Sequence, residues 1–281
     1  MPEKPKIGIM QGRLSEMYEN KIQSFPSQSW KEEFKIASNC GLEIIEWIFD
    51  EIQPNPILTD EGIIEIKLLM EKNNISINAI CADYFMTKKL FNESQSELEK
   101  NIETMKKLII QANKLEISMI EIPLVDSSSL KNDKNKNEIT NNLEKILPFA
   151  EKNNVTIVLE TDFNPSDFKE FLMGFNHPCV MANYDSGNSA SLGYNSGEEL
   201  TKLKKWIKNV HVKDRKFKDT TVPFEMGDTS FDLFFSSLSK INYSGDLIIQ
   251  GARFENKEIT PEATCKTYQE FINQNVDKYY I

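Results

Sequence analysis

The sequence predicts one α/β domain, a single closed (β/α)8 barrel, from three observations. A short apolar strand, a polar turn and a helix-period segment recur eight times along the 281 residues, at a mean spacing of about 35 residues. The strands are rich in Ile and Val, as in strands buried on both faces. The first strand is followed by QGRLS, whereas a doubly wound open sheet usually carries a glycine-rich phosphate loop there. A closed parallel barrel is therefore favoured over an open sheet.

Each predicted strand is a short apolar run that ends at a polar turn. In chain order the strands are Lys6–Met10, Glu43–Ile48, Ser76–Cys81, Ser118–Ile122, Val155–Glu160, Cys179–Tyr184, Asn209–Lys213 and Asp246–Gln250. In the second strand Glu46 and Trp47 point to opposite sides, and the sequence leaves open which of them faces the barrel interior.

The predicted helices alternate with these strands. Ser29 is expected to cap the first helix, and Gly41 to end it. The second helix begins near Thr59, and the third, Ser96–Leu115, has apolar residues at helical spacing. The others are Glu138–Asn153, Pro165–Phe175, Glu198–Lys208, Phe231–Ile241 and Pro261–Asn275. The Lys/Asn-rich stretch Lys131–Asn142 is predicted as a solvated loop. No linker or change in composition divides the chain, so residues 1–281 are predicted to form one domain.

Composition narrows the class of protein. No apolar run approaches the roughly 20 residues of a membrane span, and the first residues lack the apolar stretch of a signal peptide. The four cysteines are far apart, which argues against a zinc knuckle or a disulfide framework and suggests a reducing cytoplasm. A net charge of −10 argues against nucleic-acid binding. We expect a soluble cytoplasmic protein with no membrane or nucleic-acid partner, and self-association is left open.

Polar residues follow the predicted strands at their carboxyl ends, where such barrels carry their chemistry. Glu160, Asp185 and His211 lie at the ends of strands five, six and seven. One such residue alone is more often a rim residue satisfied by neighbouring backbone. Two carboxylates and an imidazole in consecutive units favour a divalent metal site with open positions for a substrate. The second histidine, His177, precedes strand six and is predicted to be structural.

Arginine gives an independent signal. The chain has three arginines against 30 lysines, and Arg13, Arg215 and Arg253 all follow strands that are neighbours around a closed barrel. The guanidinium fork binds phosphate or carboxylate bidentately, and the loops after strands seven and eight often bind phosphate. The alternative for each is an ion pair on the rim. Their shared location favours a small anionic substrate.

Several motifs carry a resemblance to a known family. They are VLETD around Glu160, NYDSGN around Asp185, VHVKDR around His211, VPFEMGDTSFD from Val222 and IIQ in the last strand. With them the sequence resembles the xylose isomerase-like TIM barrel superfamily over nearly its whole length, and most closely the sugar phosphate isomerase/epimerase branch. The resemblance implies a divalent cation, with Mn²⁺ preferred over Mg²⁺, Co²⁺ or Zn²⁺. It implies Glu160, Asp185 and His211 as ligands, and it places Asp214 beside a substrate-contacting Arg215.

Three positions depart from the family pattern. Gln250 stands where the family has a second glutamate, Asn188 where a substrate-binding histidine often follows, and Glu225 where a glycine is usual. Family epimerases use both glutamates, one on each face of the reacting carbon. Glutamine can ligate a metal, but its amide cannot exchange protons near neutral pH. Three consequences stay open: one base suffices, another acid such as Glu225 or Asp83 replaces the lost one, or the site binds a ligand without chemistry.

We therefore predict a metal-dependent isomerase or epimerase that acts on a sugar phosphate or sugar acid through an enediolate, with Glu160 as the base. A dehydratase or lyase, and a non-catalytic sugar-binding barrel, are the alternatives. An endonuclease for abasic DNA is disfavoured by two histidines and the charge of −10. The catalytic candidates are Glu160 and Gln250; the metal candidates are Glu160, Asp185, His211 and Gln250; the substrate-binding candidates are Arg13, Asp83, Asn188, Lys213, Asp214, Arg215 and Arg253.

Overall fold

A computed structural model describes residues 3–17, 21–254, 256 and 258–280; residues 1–2, 18–20, 255, 257 and 281, which belong to the predicted domain, lie outside the described residues. The strands are β1 (Ile7–Met10), β2 (Ile44–Ile48), β3 (Ala79–Cys81), β4 (Met119–Leu124), β5 (Thr156–Thr161), β6 (Val180–Asp185), β7 (Ile207–Val212), β8 (Asp214–Arg215), β9 (Thr221–Val222) and β10 (Leu247–Ile249). Eight of them close a parallel barrel in the order β1-β10-β7-β6-β5-β4-β3-β2, which confirms the predicted fold class. β8 and β9 form a separate antiparallel ribbon.

The helices surround the barrel. They are α1 (Trp30–Asn39), α2 (Asp60–Asn73), α3 (Tyr84–Thr87), α4 (Gln95–Lys114), α5 (Asp133–Lys152), α6 (Pro165–Phe175), α7 (Ser186–Leu192), α8 (Ser196–Leu203), α9 (Phe231–Lys240) and α10 (Pro261–Tyr279). None of the described helices is long and apolar enough to cross a membrane. The short helices α3 and α7 and the ribbon were not predicted.

The predicted loop Lys131–Asn142 is wrong over most of its length. Helix α5 begins at Asp133, after the Asn132 side chain accepts a hydrogen bond from the Asn135 N–H at 2.9 Å. The polar residues of this segment cover the outer face of the helix, and Ile139 is buried beneath them. Because the first turns of α5 contain few apolar residues, their composition is that of a loop although their structure is helical.

Alternation along β2 decides which side chain faces inward. Trp47 points outward, where its ring lies 5.4 Å from that of Phe25 and 5.6 Å from that of Trp30. Glu46 therefore points into the barrel, where it is fully buried.

The barrel interior changes in character from its amino end to its carboxyl end. Ala79, Met119 and Val158 form a small apolar cluster at the amino end, with Met181 packed against it. Two residues further along the same strands the inward side chains are polar: Cys81, Glu121, Glu160 and Asn183. The apolar cluster closes the bottom of the barrel and leaves polar side chains facing the open end.

Candidate active site

A cavity of about 460 Å³ opens at the carboxyl ends of the barrel strands. We call it the central cavity. Its walls include residues from both the barrel and the loops: Arg13, Gln23, Asp50, Cys81, Asp83, Glu121, Asp126, Glu160, Asp185, Asn188, Lys213, Arg215 and Gln250.

Three of the predicted ligands converge beside the central cavity. His211 Nδ1 lies 3.8 Å from Glu160 Oε2 and 3.9 Å from Asp185 Oδ2, and all three residues are buried. Two ligand atoms that each lie about 2.1 Å from one cation can be at most about 4.2 Å apart. Both His211 distances fit a shared divalent cation, and the ligand atoms of all three side chains lie within 4.8 Å of one another.

Asn188 links this group to the basic side chains of the cavity. Asp185 Oδ1 accepts the Asn188 N–H at 2.8 Å and so caps helix α7. The Asn188 amide donates to Glu160, and its Oδ1 accepts from Arg215 Nη1 at 2.8 Å. Lys213 Nζ lies 3.2 Å from Asp185 Oδ2. Asn188 thus orients Glu160 through a hydrogen bond.

The amide of Gln250 is oriented by a chain of hydrogen bonds. Arg13 Nη2 donates to Gln23 Oε1 at 3.2 Å, and because arginine can only donate, this contact identifies the oxygen of Gln23. Gln250 Nε2 donates to the same oxygen at 2.8 Å. Gln250 Oε1 is therefore the free end, and it is buried without a hydrogen-bond partner among the described residues. Burying such an acceptor costs about 1–3 kcal/mol, and an oxygen left in this state fits a fourth metal ligand.

Two buried glutamates that the sequence analysis did not assign lie on the far side of His211. His211 Nε2 lies 3.1 Å from Glu46 Oε1 and 3.3 Å from Glu121 Oε2. In a neutral imidazole whose proton is on Nε2, Glu46 accepts that proton, and the lone pair of Nδ1 faces Glu160 and Asp185, with the Asn183 amide nitrogen 3.1 Å from Nδ1. A charged residue in the middle of an apolar strand, as in IIEWI and MIEIPL, was the signal that could have identified both, since such residues are rarely buried without a partner.

The pKa values of His211, Glu121 and Glu46 are shifted by burial and by one another's charges. Burial alone lowers the pKa of His211, but the carboxylates of Glu46, Glu160 and Asp185 outweigh it and raise the pKa above its ordinary value. Burial, together with the charges of Glu160 and Glu46, raises the pKa of Glu121 well above its usual range. Burial also acts to raise the pKa of Glu46, yet contact with His211 keeps it below the ordinary value. Glu46 is thus the carboxylate that pairs with the imidazole.

Comparison with known proteins assigns the chain to a family. The pattern of the xylose isomerase-like TIM barrel matches residues 34–272. The chain belongs to this family. A protein of Haemophilus influenzae described as a candidate L-ribulose-5-phosphate 3-epimerase, SgbU, is 26% identical over 274 residues, which cover 91% of this chain and 92% of that protein.

Two solved structures of similar proteins share the fold. D-psicose 3-epimerase from Clostridium cellulolyticum H10, crystallised with D-tagatose, superimposes with a TM-score of 0.75 at 14% identity and covers 96% of this chain and 99% of its own. A xylose isomerase-like TIM barrel protein from Mycobacterium smegmatis in complex with magnesium superimposes with a TM-score of 0.73 at 15% identity, over 99% and 98% of the two chains.

The xylose isomerase-like barrel brings most, but not all, of the predicted substrate-binding residues to the central cavity. Arg13, Asp83, Asn188, Lys213 and Arg215 line it together with Glu160, Asp185 and Gln250. Glu225 lies outside it in an exposed turn. His177, near Glu151 at 3.7 Å, accepts a backbone N–H from Cys179 through Nδ1, as a structural residue does.

Asp214 and Arg253 do not line the central cavity. The Asp214 carboxylate accepts the backbone N–H groups of Gly227 at 2.9 Å and Thr229 at 3.1 Å. The Arg253 guanidinium donates to the carbonyls of Gly12 and Ser15 in the loop after β1. Both side chains hold backbone in place, and we assign neither a substrate contact. Arg253 lines a second cavity together with Arg13, whereas Arg13 and Arg215 line the central cavity.

Proposed function

We propose that this protein is a divalent-metal-dependent epimerase or isomerase that acts on a sugar phosphate or sugar acid. The observation that carries the proposal is the group formed by Glu160, Asp185 and His211, together with the unpartnered oxygen of Gln250. Glu160, Asp185 and Gln250 line the central cavity, and His211 is buried behind them. The names of the similar proteins, L-ribulose-5-phosphate 3-epimerase and D-psicose 3-epimerase, support a ketose or its phosphate as the substrate.

Glu160, Asp185, His211 and Gln250 would hold the cation, which would supply polarisation of a substrate carbonyl and stabilisation of the negative charge that develops on its oxygen. Mn²⁺ and Mg²⁺ suit an oxygen-rich site with one imidazole, and the magnesium bound by the M. smegmatis protein supports this choice. We take Mn²⁺ as the first metal to test, with Mg²⁺, Co²⁺ and Zn²⁺ as the others.

Glu160 is the base in this proposal. Its two oxygens accept hydrogen bonds from the amides of Asn183 and Asn188, so the carboxylate is fixed at the wall of the cavity. It removes the proton from the carbon next to the carbonyl, and the electron pair of that C–H bond forms the double bond of the enediolate.

Basic side chains suit an anionic end of the substrate. Arg13, Lys213 and Arg215 line the central cavity. Burial, with the neighbouring charge of Arg253, lowers the pKa of Arg13 to about 10, so Arg13 still carries its charge at neutral pH. Arg215 Nη1 donates a hydrogen bond to Asn188, and Asn188 donates one to Glu160. One side chain therefore connects the Arg215 guanidinium to Glu160. We propose that Arg215 and Arg13 bind the phosphate or carboxylate.

We also propose that the chain is a single cytoplasmic domain. All four cysteines are free thiols, and three of them are buried. Unpaired cysteines fit a reducing compartment.

The test is solvent exchange in D₂O. Protein loaded with Mn²⁺ is incubated with ribulose 5-phosphate, psicose and a panel of sugar acids, and NMR detects deuterium at the carbon next to the carbonyl. We expect exchange in the wild type and its loss in Glu160→Gln. Glu225→Gln, an exposed glutamate outside the cavity, is the matched control and should exchange normally. Absence of exchange in protein that demonstrably holds metal contradicts the proposal, and a dehydrated product would identify a lyase instead.

A further inference from the structure

We propose that Asp83 is the second proton-transfer group of this site and that it acts on the face of the substrate carbon opposite Glu160. This inference rests on the proposed function and deepens it, since two groups on opposite faces make the enzyme an epimerase. The observation behind it is the position of a carboxyl in the same cavity, connected to Gln250 through one side chain.

The strand register places Asp83 at the right end of the barrel. Cys81 of β3 pairs with Glu121 of β4, and Pro123 of β4 pairs with Glu160 of β5. Asp83 follows Cys81 by two residues, as Pro123 follows Glu121. Asp83 therefore lies at the carboxyl end of the barrel, as Glu160 does. The two carboxyls line the central cavity from the ends of β3 and β5, which are separated by β4.

Hydrogen bonds connect Asp83 to the position where the family has its second glutamate. Gln23 Nε2 donates to Asp83 Oδ2 at 2.7 Å, and Gln23 Oε1 accepts from Gln250 Nε2 at 2.8 Å. Cys81 Sγ contacts Asp83 Oδ1 at 3.3 Å. Gln250 has no carboxyl, but the side chain of Gln23 connects it to the carboxyl of Asp83, which lies in the wall of the same cavity.

The other acids near the cavity are less suited to this task. Glu121 lies deeper, where it contacts His211 and accepts from Asn183. Asp50 accepts the backbone N–H of Phe25 at 3.0 Å and so holds the loop before α1. Asp126 is exposed on a short turn, and Glu225 lies outside the cavity.

The surroundings of Asp83 favour a proton donor. Burial raises the pKa of Asp83, and the charges of Asp50 and Glu160 add to this, while the hydrogen bonds from Gln23 and Cys81 act in the opposite direction. Arg13 and Glu121 also face it. The net direction makes the protonated carboxyl more accessible near neutral pH than that of an ordinary aspartate.

The step balances without a further reactant. Glu160 takes the proton from the carbon, the C–H electron pair becomes the carbon–carbon double bond, and the carbonyl pair moves to oxygen. Asp83 then donates its proton to the opposite face, a new C–H bond forms, and the carbonyl returns. The reaction ends with Glu160 protonated and Asp83 ionised, and exchange with water resets both.

The experiment compares exchange with inversion in Mn²⁺-loaded protein. For the ketose that the wild type turns over in D₂O, NMR gives deuterium incorporation and chiral chromatography gives the inverted sugar. In Asp83→Asn we expect inversion to fall about 10²–10⁴-fold, the usual contribution of a proton-transfer group, while exchange through Glu160 stays within about tenfold of the wild type. Glu225→Gln, which changes the other acid that the sequence left open as a replacement and which lies outside the cavity, is the matched control and should invert normally.

The outcomes separate this inference from the proposed function. Three outcomes would each overturn the role of Asp83 while the proposed function stands. They are exchange without inversion in the wild type, normal inversion in Asp83→Asn, and an equal loss of exchange and inversion in Asp83→Asn. No exchange in metal-loaded wild type overturns both. If Asp83→Asn does not fold, Asp83→Ala with added formate replaces it: restored inversion supports the proposal, and no restoration with exchange intact overturns it.

Discussion

Gln250 sets this site apart at the scale of single residues, because its side chain is neutral and its oxygen has no partner among the described residues. In the proposed metal site, the surrounding carboxylates of Glu160 and Asp185 would supply the negative charge that attracts a cation. A neutral fourth ligand adds coordination without adding charge, and a carboxylate at the same position adds both.

Substitution of Gln250 should therefore change metal affinity in opposite directions. Gln250→Leu removes an oxygen ligand, and we expect the Kd for Mn²⁺ to rise by about tenfold or more, which corresponds to about 1.4 kcal/mol. Gln250→Glu adds a charge near the cation, and the Kd should fall by at least about tenfold. Titration calorimetry with Mn²⁺ measures both values. Equal affinities in the three proteins would show that this residue does not ligate the metal.

At the scale of elements, the ribbon β8–β9 positions Arg215 beside the cavity. The turn that follows β9 is anchored by Asp214, whose carboxylate accepts from Gly227 and Thr229. Glycine is needed at position 227 because of a close approach: a Cβ there would lie 2.3 Å from Asp214 Oδ1 and 2.7 Å from the carbonyl oxygen of Arg215.

Gly227→Ala should destabilise the protein for this reason. We expect a loss of about 1–3 kcal/mol in the free energy of unfolding, as for other overpacked sites, measured by urea denaturation. Gly174→Ala is the matched control: position 174 lies in helix α6, nothing lies within 4 Å of the added Cβ, and the variant should gain up to about 1 kcal/mol. If Gly227→Ala is as stable as Gly174→Ala, the Asp214 contact does not require glycine.

The loop after β1 is held by a second buried carboxyl, on helix α1. Glu33 Oε2 accepts the Gly12 N–H at 2.9 Å, and Glu33 Oε1 accepts from Ser15 Oγ at 2.6 Å. Arg253 binds the carbonyls of the same loop. Burial raises the pKa of Glu33 from 4.5 to about 7, against the opposing effect of these hydrogen bonds.

This raised pKa predicts a specific pH dependence of stability. The folded protein keeps the proton on Glu33 up to about pH 7, whereas the unfolded chain loses it near pH 4.5. The stabilisation is therefore fully present below pH 4.5 and is lost as the pH rises through 7, by at most about 3 kcal/mol. In Glu33→Gln, which mimics the protonated carboxyl, this loss should be absent. Urea denaturation between pH 4.5 and 8 measures the difference from the wild type. Glu32→Gln, an exposed neighbour, should follow the wild type throughout.

The features predicted correctly from the sequence are those with a local or periodic signal. All eight barrel strands were predicted, because each is an apolar run bounded by polar turns, and Pro165–Phe175 was predicted to the residue. Helix α7 was not, since SGNSASL lacks an apolar stripe and is held by the Asp185 cap. Asp83 was a candidate because it follows the third strand, and it lines the central cavity. The backbone-binding roles of Asp214 and Arg253 depend on contacts between distant segments, and no local pattern contains them.

At the scale of the whole molecule, acidic side chains are concentrated inside the barrel, around the proposed cation site. Glu46, Glu121, Glu160 and Asp185 surround His211 inside the barrel, above an apolar cluster that offers no compensating charge. Buried like charges are unfavourable until a cation is bound. The folded protein should therefore be the form that binds the metal, and the metal should stabilise it.

Thermal unfolding tests this coupling. At a free Mn²⁺ concentration of about 100 times the Kd, binding to the folded state adds about 2.7 kcal/mol to the free energy of unfolding, so we expect the Tm to rise by about 5–10 °C over the value in EDTA.

Glu46 lies behind His211 and not in the cavity wall, and loss of such a supporting contact weakens metal binding by about 10–100-fold. Glu46→Gln at the same Mn²⁺ concentration should thus show about half of the rise or less. Asp246→Asn, which changes a carboxylate at the amino end of β10 that accepts from Asn78, should keep the full rise. A wild type whose Tm does not respond to Mn²⁺ would contradict the metal site, whereas an equal rise in Glu46→Gln would contradict only the role of Glu46 in orienting His211.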